Sequence, residues 1–166
     1  MAKSEIQNFK RLAGLKAIKQ KSAMYGGSTD SDGMWTALRE LLDNPVDLLL
    51  KGSKLKITLI LDPDGSYWVC DSGPGIPVDK KVFEDERGRK EKLSIVYAAT
   101  GLTHAGTNFD SKETSRGTHG IGIKYSNAVS GYFHGWTHRD KKWYSIKYAD
   151  ATIKQDVNAD KAPKPP

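Results

Sequence analysis

Between Trp35 and Lys51 the apolar residues recur at the period of an α-helix. At about 100° per residue, Leu38, Leu41, Leu42, Val46 and Leu49 share one broad face, while Glu40, Asn44 and Asp47 cluster within about 60° on the other. The pattern then changes to alternation. Residues 55–61 (Leu-Lys-Ile-Thr-Leu-Ile-Leu), a turn at Asp62-Pro-Asp-Gly65 and the run Ser66–Cys70 predict a β-hairpin that ends at Asp71. A charge run over residues 79–92 reads as a solvated, mobile part of a lid, followed by a helix from Lys92 to Gly101. Thr103 to Thr118 reads as a glycine-bearing flexible loop. Gly122 to Ser130 predicts a helix ended by Gly131, and the aromatic-rich segment beyond it a second hairpin. Residues 1–22 read as a basic arm with a short helix, 23–157 as the domain with its lid at about 79–118, and 158–166 as a Pro/Lys tail without structure.

Composition narrows the class. The chain of 166 residues, 37% hydrophobic, can bury one core of its own. Its single cysteine, Cys70, excludes an intramolecular disulfide and fits a reducing compartment, so a cytoplasmic location is expected. No apolar run is long enough for a membrane span, and the N-terminus lacks a signal-peptide core. A net charge of +6 favours polyanionic partners, although surplus lysine also serves solubility.

Three fragments carry candidate chemistry. On the first helix, a carboxylate one turn from a carboxamide, Glu40 and Asn44, can hold a water as general base while the amide oxygen meets a hard cation. A solvated helix face is the plain alternative. In Asp71-Ser-Gly73-Pro-Gly75-Ile76-Pro77 the glycines let the backbone turn sharply and approach a flat ligand. Asp71, as an acceptor-only group, suits the exocyclic amine of adenine, against which stands an ordinary Asx turn. Gly117-Thr118-His119-Gly120-Ile121-Gly122-Ile123 opens the helix at 122, and glycines ahead of a helix N-terminus offer free N–H groups to phosphate. Lys124, in the first turn against the usual dipole preference, makes sense facing an anion. His134 and His138 share a strand face but stand too far apart for a metal pair.

Glu40-x-x-Asp43-Asn44-x-x-Asp47, Asp71-x-Gly73-x-Gly75-Ile76-Pro77 and Gly117-x-x-Gly120-x-Gly122 resemble the three nucleotide boxes of the GHKL ATPases. Met24-Tyr25-x-Gly27, His104-Ala-Gly-Thr-Asn-Phe-Asp110 and Asn127-Ala-Val-Ser130 are similar to the gyrase B and type IIA topoisomerase branch; histidine kinases share only the boxes. The resemblance covers roughly residues 18 to 150. It implies an α/β fold, a two-layer sandwich of the GHKL type with a mixed sheet and helices on one face. It also implies ATP and Mg²⁺ as cofactors, with Glu40 as the base, Asn44 as the Mg²⁺ ligand and Asp47 nearby. Asp71, Gly75, Ile76 and Pro77 would hold adenine, and Gly117 through Ile123 with Lys124 the phosphates. Arg139 falls where bacterial members place an arginine at the mouth of the adenine pocket, contacted by aminocoumarins.

The implied function is an ATP-driven isomerase part: a clamp-closing ATPase domain of a type II topoisomerase, with DNA contacted through the full enzyme and no cleavage by this chain alone. Implied partners are other topoisomerase subunits, a chain carrying the transducer domain with its lysine, or a second copy on ATP binding. A nucleotide-binding module that docks on another topoisomerase without turnover stays open as the alternative. Departures are visible. Pro74 replaces a common arginine, and Lys21-Ser-Ala23 an Arg-Pro-Gly. Pro45 should free the Leu41 carbonyl and kink the helix, at about 3 kcal/mol in an unadapted one. Thr152 is the nearest candidate for the family's adenine-binding threonine, but in Ala-Thr-Ile-Lys rather than Gly-Thr-x-Val-x-Phe. From this the chain is expected to be a split or shortened subunit with weak ATPase on its own.

Overall fold

The computed structural model describes residues 14–25, 31–84, 88–102 and 122–158. Residues 14–20 form α1, followed by α2 (Ser22–Tyr25) and the long α3 (Ser31–Leu50). Strands β1 (Ile57–Leu61) and β2 (Tyr67–Asp71) make the predicted hairpin, in register from Ile57↔Asp71 to Leu61↔Tyr67. Its turn is closed by Gly65 N–H on Asp62 O at 3.0 Å and Asp62 N–H on Ser66 O at 2.9 Å, with Gly65 at φ 84°. Only a residue without a Cβ sits there at no cost.

The charged segment after the second fragment is more ordered than its composition suggested. Lys80–Glu84 and Lys90–Ser94 are β3 and β4, an antiparallel pair from Lys80↔Ser94 to Glu84↔Lys90. The helix expected from Lys92 therefore starts only at Ile95, as α4 (Ile95–Gly101). Ser94 sets that boundary: its backbone is extended and its Oγ accepts the Tyr97 N–H at 3.0 Å. Lys92 and Leu93 lie in the strand before the cap. Most of α4 is buried, so this part of the expected lid segment belongs to the core, and residues 103–118 lie outside the described residues.

α5 (Gly122–Val129) leads into a three-stranded antiparallel sheet of β5 (Tyr132–Arg139), β6 (Lys142–Ala149) and β7 (Thr152–Asn158). Both of its turns use two consecutive left-handed residues, Asp140-Lys141 at φ 50° and 62° and Asp150-Ala151 at φ 48° and 57°. Alternation sends Phe133, Ile146 and Tyr148 inward, where they meet Leu15 and Ile18 of α1, Ala37 of α3, Val96 and Tyr97 of α4, and Tyr125 and Ala128 of α5. Leu15 and Ile18, three residues apart, tie the basic N-terminal segment into this core. The layers are those expected of an α/β sandwich. The sheet layer is divided, among the described residues, into three antiparallel ladders rather than one mixed sheet. β2 and β5 meet through Trp68 and Trp136, ring centres 5.1 Å apart, without a backbone ladder.

α3 corrects the predicted helix in two details. Its buried residues are Gly33, Ala37, Leu38 and Pro45, whereas Leu49, expected inside, is exposed. The core reaches α3 at Ala37, so apolar side chains in the last turn extend past the packed layer. Helical geometry continues through Pro45 to Leu50.

Candidate nucleotide site

Gly122 is the first residue of α5 and packs on Glu40 of α3. A Cβ at Gly122 would stand 2.5 Å from Glu40 Oε2, so the carboxylate would have to move aside, and 3.4 Å from Glu40 O. One turn further along α5, Ser126 Oγ donates to Ala37 O at 2.8 Å. Two successive turns of α5 thus lie on α3, the second bonded to it, and the Glu40 carboxylate lies beside the N-terminal end of α5. That end exposes unpaired N–H groups and the positive pole of the helix dipole. Asn44, one turn after Glu40, donates from Nδ2 to Glu40 O at 3.0 Å. With its nitrogen turned to the backbone, the amide oxygen remains as an outward acceptor on an exposed residue. Asp47 is half-buried one turn further along.

The second fragment leaves β2 at Asp71. Oδ1 of this carboxylate accepts the Gly73 N–H at 2.8 Å, so the Asx turn weighed against a ligand role is present. It uses one oxygen; Oδ2 has no hydrogen bond among the described residues, and Asp71 is exposed. Gly73 lies against Leu48 of α3, where a Cβ would meet Asp71 Oδ1 at 2.6 Å. Gly75 has φ 72°, and a Cβ there would meet Thr137 Oγ1 at 2.6 Å and His138 O at 3.0 Å. The loop is pinned to β5 on either side of that contact. Thr137 Oγ1 donates to Ile76 O at 3.0 Å, and Arg139 Nη1 donates to Pro74 O at 2.9 Å. Ile76 also packs against the core, and Pro77 is half-buried. The structure thus brings Glu40, Asn44 and Gly122 together at the α3–α5 contact, and Asp71, Gly75 and Arg139 together at the β2–β5 loop, with Leu48 joining α3 to that loop.

Other expected residues stand apart. Gly117, Thr118, His119, Gly120 and Ile121 lie outside the described residues. Lys124 is 6% exposed, and burial pushes its ammonium below the usual lysine range. Two positions after Gly122, it is turned by roughly 200° around the helix from the side that faces Glu40. Thr152 donates from Oγ1 to Asp150 O at 3.3 Å in the turn before β7. The hydroxyl that reaches the second fragment is that of Thr137, which the pattern alone did not single out. Alternation in β5 puts Thr137 opposite in sense to Trp136 and His138, and that was its available signal. Asn127, fully buried, donates from Nδ2 to Thr100 O at 2.8 Å and ties α5 to α4. Among the described residues no cluster of three His, Cys, Asp or Glu side chains is placed to hold a metal. A single amide oxygen with phosphate oxygens is a sufficient protein share for Mg²⁺, which keeps most of its waters.

A layered α/β domain with a carboxylate at a glycine-started helix and an Asp-x-Gly-x-Gly loop after a strand defines a GHKL-type ATPase domain. No family model matches the chain. It is 38% identical over 150 residues to the DNA gyrase B protein of Thermotoga maritima and 36% identical over 149 residues to that of Mycoplasmoides gallisepticum, 89% of this chain in each case. It is 35% identical over 139 residues to the DNA topoisomerase 4 B protein of Mycoplasma capricolum, which covers 82% of the chain. In structure it is similar to the 43K ATPase domain of Thermus thermophilus gyrase B in complex with an aminocoumarin. There the TM-score is 0.69 at 28% identity, over 92% of this chain and 36% of that one. The chain belongs to the gyrase B family of type IIA topoisomerase ATPase domains. It spans about a fifth of the length of these relatives, 22% for both gyrase B proteins.

Proposed function

We propose that the chain binds ATP with Mg²⁺ and hydrolyses it slowly, as the nucleotide-responsive domain of a type IIA topoisomerase in the cytoplasm. The observation that carries this reading is the seating of Glu40 against Gly122: a carboxylate fixed where phosphate oxygens would meet the N–H groups of α5. Glu40 takes the proton of the attacking water, and α3 orients it. Asn44 offers its amide oxygen as the protein ligand of Mg²⁺, whose chemistry when bound is to neutralise charge on the phosphates. Oδ2 of Asp71, without a hydrogen bond among the described residues, accepts from the adenine amine while Gly73 and Gly75 let the base lie against the loop. Arg139, by holding Pro74 O, keeps the loop against β5 and stands at the pocket rim where an aminocoumarin would meet it.

Topoisomerase subunits and the DNA they carry are the partners this reading implies, because the curated relatives are components of such enzymes. The deciding experiment measures nucleotide affinity and phosphate release by the purified chain, alone and with gyrase-type subunits. Binding with weak turnover that rises on adding subunits supports the reading. Binding with no turnover in either condition favours a regulatory docking module, and absence of ATP binding ends both.

A further inference from the structure

Among the described residues β1 has one edge to spare. Asp62 N–H donates to Ser66 O and Ser72 N–H donates to Lys56 O, so the even-numbered residues of this segment turn their backbone groups toward β2. Ile57, Leu59 and Leu61 turn theirs the other way, where no strand pairs with β1 among the described residues. Leu59 and Leu61 are 41% and 61% exposed. An open edge with apolar side chains is a template for another strand. The charges around it are sorted by sign: Lys54 and Lys56 precede the strand, and Asp62 and Asp64 follow it.

We propose that β1 pairs antiparallel with β1 of a second copy of this chain, on a two-fold axis through Leu59, joining the two hairpins into one four-stranded sheet. Placing Leu59 opposite Leu59 sets Ile57 opposite Leu61, Thr58 opposite Ile60 and Lys56 opposite Asp62, and one step further brings Lys54 to Asp64 in the turn. The parity is right, because odd residues face odd residues and theirs are the backbone groups left free by β2. A slip of one residue would set free groups against used ones. A slip of two loses both of these pairs and leaves a single other one, Lys56 with Asp64 or Lys54 with Asp62. The carboxylates are already held in place, Asp62 by Trp68 Nε1 at 2.7 Å on Oδ2 and Asp64 by Ser66 Oγ at 2.7 Å on Oδ1, and neither second oxygen has a hydrogen bond among the described residues. Lys54 and Lys56 are exposed and have no ion pair within the described residues. Pro63, with no N–H, ends the ladder beyond Leu61. The interface is isologous and closed, and it does not depend on nucleotide.

The test is sedimentation velocity of the full chain together with cysteine cross-linking in a Cys70→Ser background. Paired Cα atoms in a hydrogen-bonded antiparallel pair lie about 5.5 Å apart, within disulfide range, so Leu59→Cys should cross-link to itself on mild oxidation. Ile57→Cys should cross-link only when mixed with Leu61→Cys. The Lys54→Asp/Lys56→Asp chain should dimerise roughly tenfold or more weakly, since each facing pair becomes repulsive. Mixed with an Asp62→Lys/Asp64→Lys chain, in which every facing pair is again of opposite sign, it should form a one-to-one heterodimer while each variant alone stays monomeric. If the aspartate variant does not fold, as circular dichroism would reveal, the lysine variant and the cysteine pairs decide. A wild-type chain that is monomeric at high concentration, a dimer indifferent to the lysine reversals, or failure of Leu59→Cys to cross-link overturns the proposal.

Discussion

Gly75 shows how one missing side chain shapes the candidate site. At φ 72° and with Thr137 Oγ1 and His138 O already in the space of a Cβ, it lets the Asp71 loop lie directly on β5. Gly75→Ala should therefore cost stability, by about 1–3 kcal/mol as for a strained backbone, and displace Ile76 from Thr137. A shift of the urea midpoint with unchanged m reads this out. Asp71→Ala removes the acceptor together with its bond to the Gly73 N–H, while the Thr137 and Arg139 bonds still tie the loop to β5. On the proposed function it leaves an adenine donor unpaired at about 1–3 kcal/mol, a loss of roughly tenfold or more in ATP affinity, and an adenine-site inhibitor should lose as much. Equal affinity of wild type and variant in fluorescence competition would remove Asp71 from the site. Asp71, Gly73 and Gly75 were legible because an acceptor and two glycines after a strand have few other uses together. Thr137 was not, because a threonine in an alternating strand looks like any other, and its value comes from a loop about sixty residues earlier in the chain, bonded through Ile76.

Elements were legible where a period was long and boundaries were marked locally. α3 and the β1–β2 hairpin follow the helical and alternating patterns, with the turn closed at Gly65. The β3–β4 hairpin was hidden because its outward positions other than Val82, namely Lys80, Glu84, Lys90 and Lys92, are charged, so a strand read as a solvated run. Leu93 and Ser94 are buried at its end, and the Ser94 cap separates strand from helix in one residue. Leu49 was misplaced for another reason: periodicity gives the face of a helix and not the length over which a core accompanies it. The β5–β6 turn offers a test at this scale. Lys141 holds φ 62° in a two-residue turn where glycine is preferred, so Lys141→Gly should stabilise the domain by about 0.5–1 kcal/mol. The thermal midpoint should rise, and a fall would mean that the Lys141 side chain contributes more than its backbone costs. Ala151 has a similar φ of 57° but is 2% exposed, and glycine there would lose the buried methyl.

The described residues form helices packed on antiparallel ladders, and Trp68 of β2 and Trp136, His134 and Tyr132 of β5 stand in ring contact. His134 lies 3.4 Å from the Trp136 ring centre, Tyr132 Oη is 3.3 Å from its Nδ1, and Lys147 is its partner across the ladder. Burial first, and Lys147 second, hold this imidazole down to about 4. The folded chain therefore keeps it neutral while the unfolded chain protonates near 6.5, so the unfolded state binds more protons between these values. Stability should be full above about pH 6.5 and fall as pH drops toward about 4, and His134→Gln should flatten that part of the profile in urea unfolding. The class was legible from three short boxes and the family from Met24-Tyr25-x-Gly27, His104–Asp110 and Asn127–Ser130 beside them, whereas the separation of the sheet into ladders was not, since ladder continuity depends on which strands meet in space. Glu40 as the base at the start of α5 is the central claim, and calorimetric ATP binding beside phosphate release for Glu40→Gln addresses it directly. Affinity within a few-fold of wild type with turnover reduced roughly a hundredfold or more is the predicted result, as for loss of a positioned base. Unchanged turnover, or binding lost in step with turnover, would contradict it and make Glu40 the structural seat of Gly122 alone.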